Sequence, residues 1–170
     1  DRMSRELEEA RSVQFALFPG DCPQIDGFEI TGVCVPCREV GGDWFDYIPL
    51  GDGRLGVVLA DVSGKGMAAA LLMSSARSVL RMHAASSLSP GEVLKKVNRI
   101  LYSDFPSAKF VTLVYAVIDP SARTISFANA GHLYPLSIDS KGAEFLETFE
   151  GLPLGIMESE FTTRTIEMAQ

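Results

Sequence analysis

No apolar run in the 170-residue sequence approaches the ~20 residues that a membrane-spanning helix needs. No basic-then-apolar leader opens it. Histidine is scarce, with only His83 and His132, and cysteine stops at Cys22, Cys34 and Cys37. Structural zinc sites take four ligands, usually from two close pairs, and beyond Cys34 and Cys37 the candidates Cys22, His83 and His132 are scattered and unpaired. An odd number of cysteines without an export signal argues against a disulfide framework and for reduced thiols in a cytosol. Positive charge is short as well: 15 Lys and Arg face 22 Asp and Glu, a net −7. The densest basic spots are Lys95-Lys96 with Arg99, and Arg77 with Arg81. Neither forms a stripe able to hold a polyanion. Nucleic acid and direct membrane insertion are therefore not expected.

What is present fits a single globular domain. Hydrophobic residues make up 46% and charged residues 22%, which excludes a disordered chain and a collagen. A chain of this length buries about 70% of its unfolded surface. The first residue is Asp1 rather than Met, and the expectation is a piece of a longer protein. Cys34-Val35-Pro36-Cys37 matches C-x-x-C, but Arg38-Glu39-Val40-Gly41-Gly42 follows it, a poor helix opening for a thioredoxin-like motif. Incidental thiols are the preferred reading. A redox pair or half of a metal site stays open.

Residues 1–18 read as a helix, with Met3, Leu7, Ala10, Gln14 and Leu17 at spacings of three and four and a stop at Phe18-Pro19-Gly20. Its stripe is a packing face or the tail of a coiled coil. Strands are expected over 28–35, 44–50 and 55–62, with a hairpin turn at Gly51-Asp52-Gly53. The third is nearly all apolar, so burial on both faces is expected. After Gly64-Lys65-Gly66 a helix runs over 67–83, apolar all round at its start and thus expected to be buried. Arg77 and Arg81 near its C-terminal end suit the helix dipole. Ser89-Pro90-Gly91-Glu92 is a helix-start signature, and the helix runs to about Asp104. Strands over 110–118, 124–130, 133–138, 143–149 and 161–168 follow. Strands, two helices, then strands again make an α+β fold with largely antiparallel sheets.

Two carboxylates stand out. Asp61 closes the apolar run Leu55–Ala60, where a partly buried charge needs a partner. The glycine-rich turn after it leads into a helix start, where backbone amides favour an anion. Asp61 could hold a cation beside a phosphate, or simply cap a turn. Asp43 follows Gly41-Gly42, whose backbone allows close approach, and a turn role fits it too. Asp43 and Asp46 are three apart, so on a strand they face opposite sides and at most one enters a shared site. Hard oxygen ligands with few histidines favour Mg²⁺ or Mn²⁺. Two ions bridged by one carboxylate generate hydroxide and clamp a phosphoryl group. His132, in Asn129-Ala130-Gly131-His132, is either a hydrogen-bonding residue or an acid. Gly64-Lys65-Gly66 lacks the first glycine and the Ser/Thr of a P-loop, and no G-x-S-x-G elbow occurs.

Together these motifs resemble the SpoIIE/RsbU-like phosphatase domain, a bacterial branch of the metal-dependent PPM phosphatases. The matching pieces are Ala10-x-x-Val13-Gln14-x-x-Leu17-Phe18-Pro19, Arg38-Glu39-Val40-Gly41-Gly42-Asp43-Trp44-Phe45-Asp46, Ala60–Leu71, Phe110-Val111-Thr112-Leu113, and Asn129-Ala130-Gly131-His132, in family order. The resemblance implies a sandwich of two antiparallel sheets flanked by helices, with an N-terminal linker helix over 1–18 and the phosphatase domain over 19–170. It implies hydrolysis of a phosphoserine or phosphothreonine protein, usually a STAS-domain anti-sigma-factor antagonist, by metal-activated water. Asp61 matches the metal-bridging ligand, the Val62 carbonyl the backbone ligand beside it, and Asp43 the acidic ligand of the second ion. Gly42, Asp46, Gly64 and Gly66 match positions that shape the cleft. Asn129 and His132 match a family motif without a derived chemical role. The linker helix implies an upstream sensory domain and a possible homodimer.

The family pattern continues past a strand like 161–168 to a Thr-Asp-Gly motif and a further acidic ligand. Neither occurs here. The expectation is a domain incomplete at its C-terminus, with two Mn²⁺ or Mg²⁺ ions in the full domain and one site incomplete in these residues. A phosphatase-like module that binds a partner without catalysis is the alternative.

Overall fold

The computed structural model describes residues 2–36, 38–86, 89–148 and 151–168. Helix α1 (Arg2–Phe15) carries an Arg2–Glu6 ion pair at 2.9 Å, four residues apart on one face. Leu7 and Ala10 are half-buried, Met3 is exposed, and Gln14 is the one buried residue of the helix.

Strands β1 (Trp44–Gly51) and β2 (Arg54–Val62) form an antiparallel hairpin. Its tip holds Asp52 at φ 52° and Gly53 at φ 72°, the left-handed pair that a tight two-residue hairpin turn requires. Strand β3 (Val111–Asp119) pairs with β2, β4 (Thr124–Ala130) with β3, and β7 (Arg164–Glu167) with β4. The five-stranded sheet thus has the order β1-β2-β3-β4-β7, antiparallel throughout. Strands β5 (Leu136–Asp139) and β6 (Gly142–Phe145) make a separate two-stranded sheet. The architecture is α+β, as the element order predicts.

Helices α2 (Met67–Ala84) and α3 (Pro90–Asp104) cover one face of the large sheet. Trp44, Val58, Ala60, Val62, Leu113 and Tyr115 meet Met73, Leu80, Val93, Leu94, Val97 and Leu101 there. On α2 the buried positions are Ala69, Ala70, Met73, Ala76, Leu80 and Ala84, a helical stripe rich in small side chains. The Ser89 amide and hydroxyl donate to the Glu92 carboxylate at 3.0 and 2.7 Å, a capping box at the start of α3.

Three expectations need correction. Residues 28–35 form no strand; the segment has no regular secondary structure beyond an isolated bridge between Ile25 and Phe28. It lies against the sheet instead, since a Cβ on Gly32 would sit 2.7 Å from the Phe45 ring. Strand β2 is not buried on both faces: Val58, Ala60 and Val62 face the helices, while Leu59 is 54% exposed on the other side. The start of α2 is likewise one-sided, with Met67 and Leu71 exposed. Among the described residues no helix is long and apolar enough to cross a membrane.

Candidate active site

The β1–β2 register pairs Trp44 with Ala60, which sets Asp43, just before β1, beside Asp61 near the end of β2. Their carboxyl groups are close enough to interact directly. Two carboxylates this close disfavour being charged together. Desolvation first, then the hydrogen bond and the charge of Asp43, push Asp61 up to about 6.

The pair borders a cavity of about 210 Å³ that is also lined by Gly42, Gly64, Lys65, Gly66, Arg38 and Gln14. Gly64 at φ 104° and Gly66 at φ 69° turn the chain from β2 into α2. A Cβ on Gly42 would stand 2.8 Å from the Val62 carbonyl oxygen and 3.2 Å from Ala69, so only glycine lets the Asp43 loop lie this close to the β2–α2 junction. The Val62 amide donates to the Gly42 carbonyl at 3.3 Å, and the Val62 side chain is fully buried.

Asp46 does not line this cavity; Asp43 does, so one of the two carboxylates enters it. Strand alternation turns it to the helix face, where it is 1% exposed. Its carboxylate accepts from Arg81 Nε at 2.6 Å and Nη2 at 2.7 Å, and from the Tyr47 amide at 2.9 Å. Arg77 Nε lies 3.1 Å away. Arg77 and Arg81 therefore serve Asp46 rather than the helix dipole alone.

Asn129 and His132 form a local clamp. The Asn129 amide donates to the His132 carbonyl at 2.9 Å, and its Oδ1 accepts from the His132 amide at 2.8 Å. This holds His132 Nδ1 2.8 Å from Thr112 Oγ1, and Thr112 is the ladder partner of Asp61. Burial holds the imidazole below its ordinary value, and the charge of Asp43 opposes that shift. His132 and Asn129 line a neighbouring cavity of about 380 Å³ rather than the carboxylate cavity itself.

Cys34 is half-buried, with Sγ 3.9 Å from the Asp43 carbonyl. Burial and the Asp43 charge raise its thiol, the opposite of what a redox nucleophile needs. Cys37 lies outside the described residues.

Sequence reasoning missed Gln14, Arg38 and Lys65 as site residues. Gln14 reads as one member of a helical stripe, Lys65 as part of a failed P-loop match, and Arg38 only as a member of a longer motif. An amide within an otherwise apolar stripe is the signal that could have singled out Gln14.

The donor set fits a hard divalent cation: two neighbouring carboxylates whose mutual repulsion a cation would relieve. Among the described residues no group of three or more His, Cys, Asp or Glu side chains gathers as a fuller cage.

The family model for Stage II sporulation protein E (SpoIIE) matches residues 51–170. The phosphoserine phosphatase RsbU of Bacillus subtilis is 29% identical over 90% of this chain and 46% of its own length. The protein IcfG of Synechocystis is 30% identical over 96% of this chain and 30% of its own length. The chain thus spans less than half the length of the curated relatives it matches. Among solved structures, the SiaA-PP2C domain of Pseudomonas aeruginosa superposes with a TM-score of 0.80 over 99% of this chain and 68% of that one, at 19% identity. The RsbU and RsbW domains of a Mycobacterium tuberculosis protein give 0.69 over 81% of this chain and 38% of that one, at 33% identity. With a PP2C-like fold, a carboxylate pair where β1 and β2 meet, and a family match over more than two thirds of its residues, the chain belongs to the SpoIIE family.

Proposed function

We propose that the chain forms the phosphatase domain of a metal-dependent serine/threonine protein phosphatase acting in bacterial signalling in the cytosol. The observation that carries this is the contact between Asp43 and Asp61 at the edge of a cavity with two cationic side chains, Arg38 and Lys65. Relatives named phosphoserine phosphatases, RsbU and RsbP, support the substrate class.

Asp43 and Asp61 would hold the cation, with the Val62 carbonyl as a backbone ligand. The family resemblance calls for two Mn²⁺ or Mg²⁺ ions, and the carboxylates here supply part of that set. Bound metal supplies acidified water and offsets negative charge on the phosphoryl group. Gly42, Gly64 and Gly66 keep the backbone clear of the cavity. Lys65 and Arg38 attract the phosphate dianion to its rim. His132, below its ordinary pKa, is neutral near pH 7 and orients Thr112 beside Asp61. The substrate we infer is a phosphorylated STAS-domain protein, with an upstream sensory domain controlling access and pairing of two copies through the region of α1.

The test is phosphate release from a phosphoserine protein with and without Mn²⁺, for wild type and Asp61→Asn. Removing a pre-organised electrostatic group costs about a hundredfold or more in rate. Manganese-dependent release that Asp61→Asn loses supports the phosphatase. No release by the full-length protein, on any phosphoprotein or on an aryl phosphate, would move the assignment to a non-catalytic partner-binding module.

A further inference from the structure

The Gln14 side chain reaches 27 residues along the chain to a single peptide unit. Its Nε2 donates to the Gly41 carbonyl at 2.7 Å, and its Oε1 accepts from the Gly41 amide at 3.0 Å. Gln14 is 6% exposed, while its neighbour Val13 is 67% exposed. A primary amide paired this way satisfies both polar groups of the peptide, as a β-ladder partner would. The residues before β1 have no strand partner on this side, because segment 28–35 forms no ladder among the described residues. Gly41 leads directly into Gly42, wedged against Val62 and Ala69, and then into Asp43.

We propose that Gln14 is a positioning residue for Asp43: its amide replaces a missing strand partner at Gly41 and holds the Asp43 carboxylate against Asp61. This rests on the reading of Asp43 as a cation ligand. Without the clamp, both polar groups of the Gly41 peptide lose their partner in a shielded place. The Asp43 loop then samples positions in which its carboxylate no longer meets Asp61. Cation affinity falls, while chemistry at saturating cation is kept.

The experiment uses Mn²⁺ as the probe, with free ion counted by electron paramagnetic resonance, on the full chain as wild type, Asp43→Asn, Gln14→Leu, Gln14→Glu and Val13→Ala. Gln14→Leu keeps helix propensity and bulk but loses both hydrogen bonds, and is expected to weaken Mn²⁺ binding about tenfold. Gln14→Glu keeps the acceptor for the Gly41 amide and should fall between wild type and Gln14→Leu. Val13→Ala should match wild type. Phosphate release by Gln14→Leu, where wild type has it, should recover at high Mn²⁺, a split that a general loss of folding does not produce. Wild-type Mn²⁺ affinity in Gln14→Leu overturns the proposal. If that variant does not fold, wild-type affinity in Gln14→Glu overturns it instead. Equal Mn²⁺ binding by Asp43→Asn and wild type sinks the underlying reading of the site, a separate outcome from failure at Gln14 alone.

Discussion

The Asp46 carboxylate sits almost out of reach of water, between a guanidinium that is largely shielded and another that is partly exposed. Arg77 keeps 15% of its side-chain surface and Arg81 keeps 40%. Removing one member of a buried ion pair strands the charge left behind, typically at about 3–5 kcal/mol. Asp46→Ala should therefore lower the unfolding free energy in urea by about 3 kcal/mol or more. Arg81→Ala should cost clearly less, because Arg77 remains and Arg81 is partly solvated. Equal losses for the two variants would show that Asp46 is not the centre of this cluster. The same residue shows what local sequence could and could not reveal. Spacing alone separates Asp43 from Asp46 on opposite faces. That Asp46 finds two arginines 31 and 35 positions away depends on α2 lying across β1, which no local pattern encodes.

Strand β3 runs through the middle of the sheet and turns Tyr115 toward the helices, 1% exposed. Burial pushes its phenol up to about 12 from the usual 10, with Arg54 opposing slightly. The folded state therefore prefers the protonated phenol. The stability this contributes is fully present below pH 10, and is lost as pH rises through about 12. Urea midpoints measured from pH 9 upward should fall across that window, and Tyr115→Phe should flatten the fall. An unchanged profile in Tyr115→Phe would assign the alkaline loss elsewhere. Elements with strong local chemistry were legible before the structure: the hairpin at Asp52-Gly53, and α3 behind Ser89-Pro90-Gly91-Glu92. The segment 28–35 was not. It lies on the Phe45 and Tyr47 side chains of edge strand β1 without forming ladder hydrogen bonds to it, a tertiary choice that composition does not encode.

Across the molecule, the helix-covered face of the large sheet is dry and the other is not. Leu59 stays half-exposed there. In the β5–β6 hairpin, Leu136 opposes Phe145 and Ile138 opposes Ala143. That register puts Leu136, Ile138 and Phe145 on one face, at 50%, 73% and 63% exposure. Apolar side chains clustered in this way favour self-association. Light scattering at high concentration should report a mass above one chain, and Ile138→Lys with Phe145→Lys should bring it down. A clean monomer for the unaltered chain would count against this.

The sequence by itself determined the class of fold, most element positions, and the two carboxylates worth watching. Each rests on local information: side-chain periodicity, turn and cap chemistry, and a charge ending an apolar strand. Tertiary structure alone decided which groups meet. The β1–β2 register brought Asp43 to Asp61, the packing of α2 turned Asp46 away from them, and α1 delivered Gln14 to Gly41. Those outcomes depend on contacts between residues far apart in the chain. Their energies come from excluding water and pairing polar groups across elements, and no window of neighbouring residues carries that information.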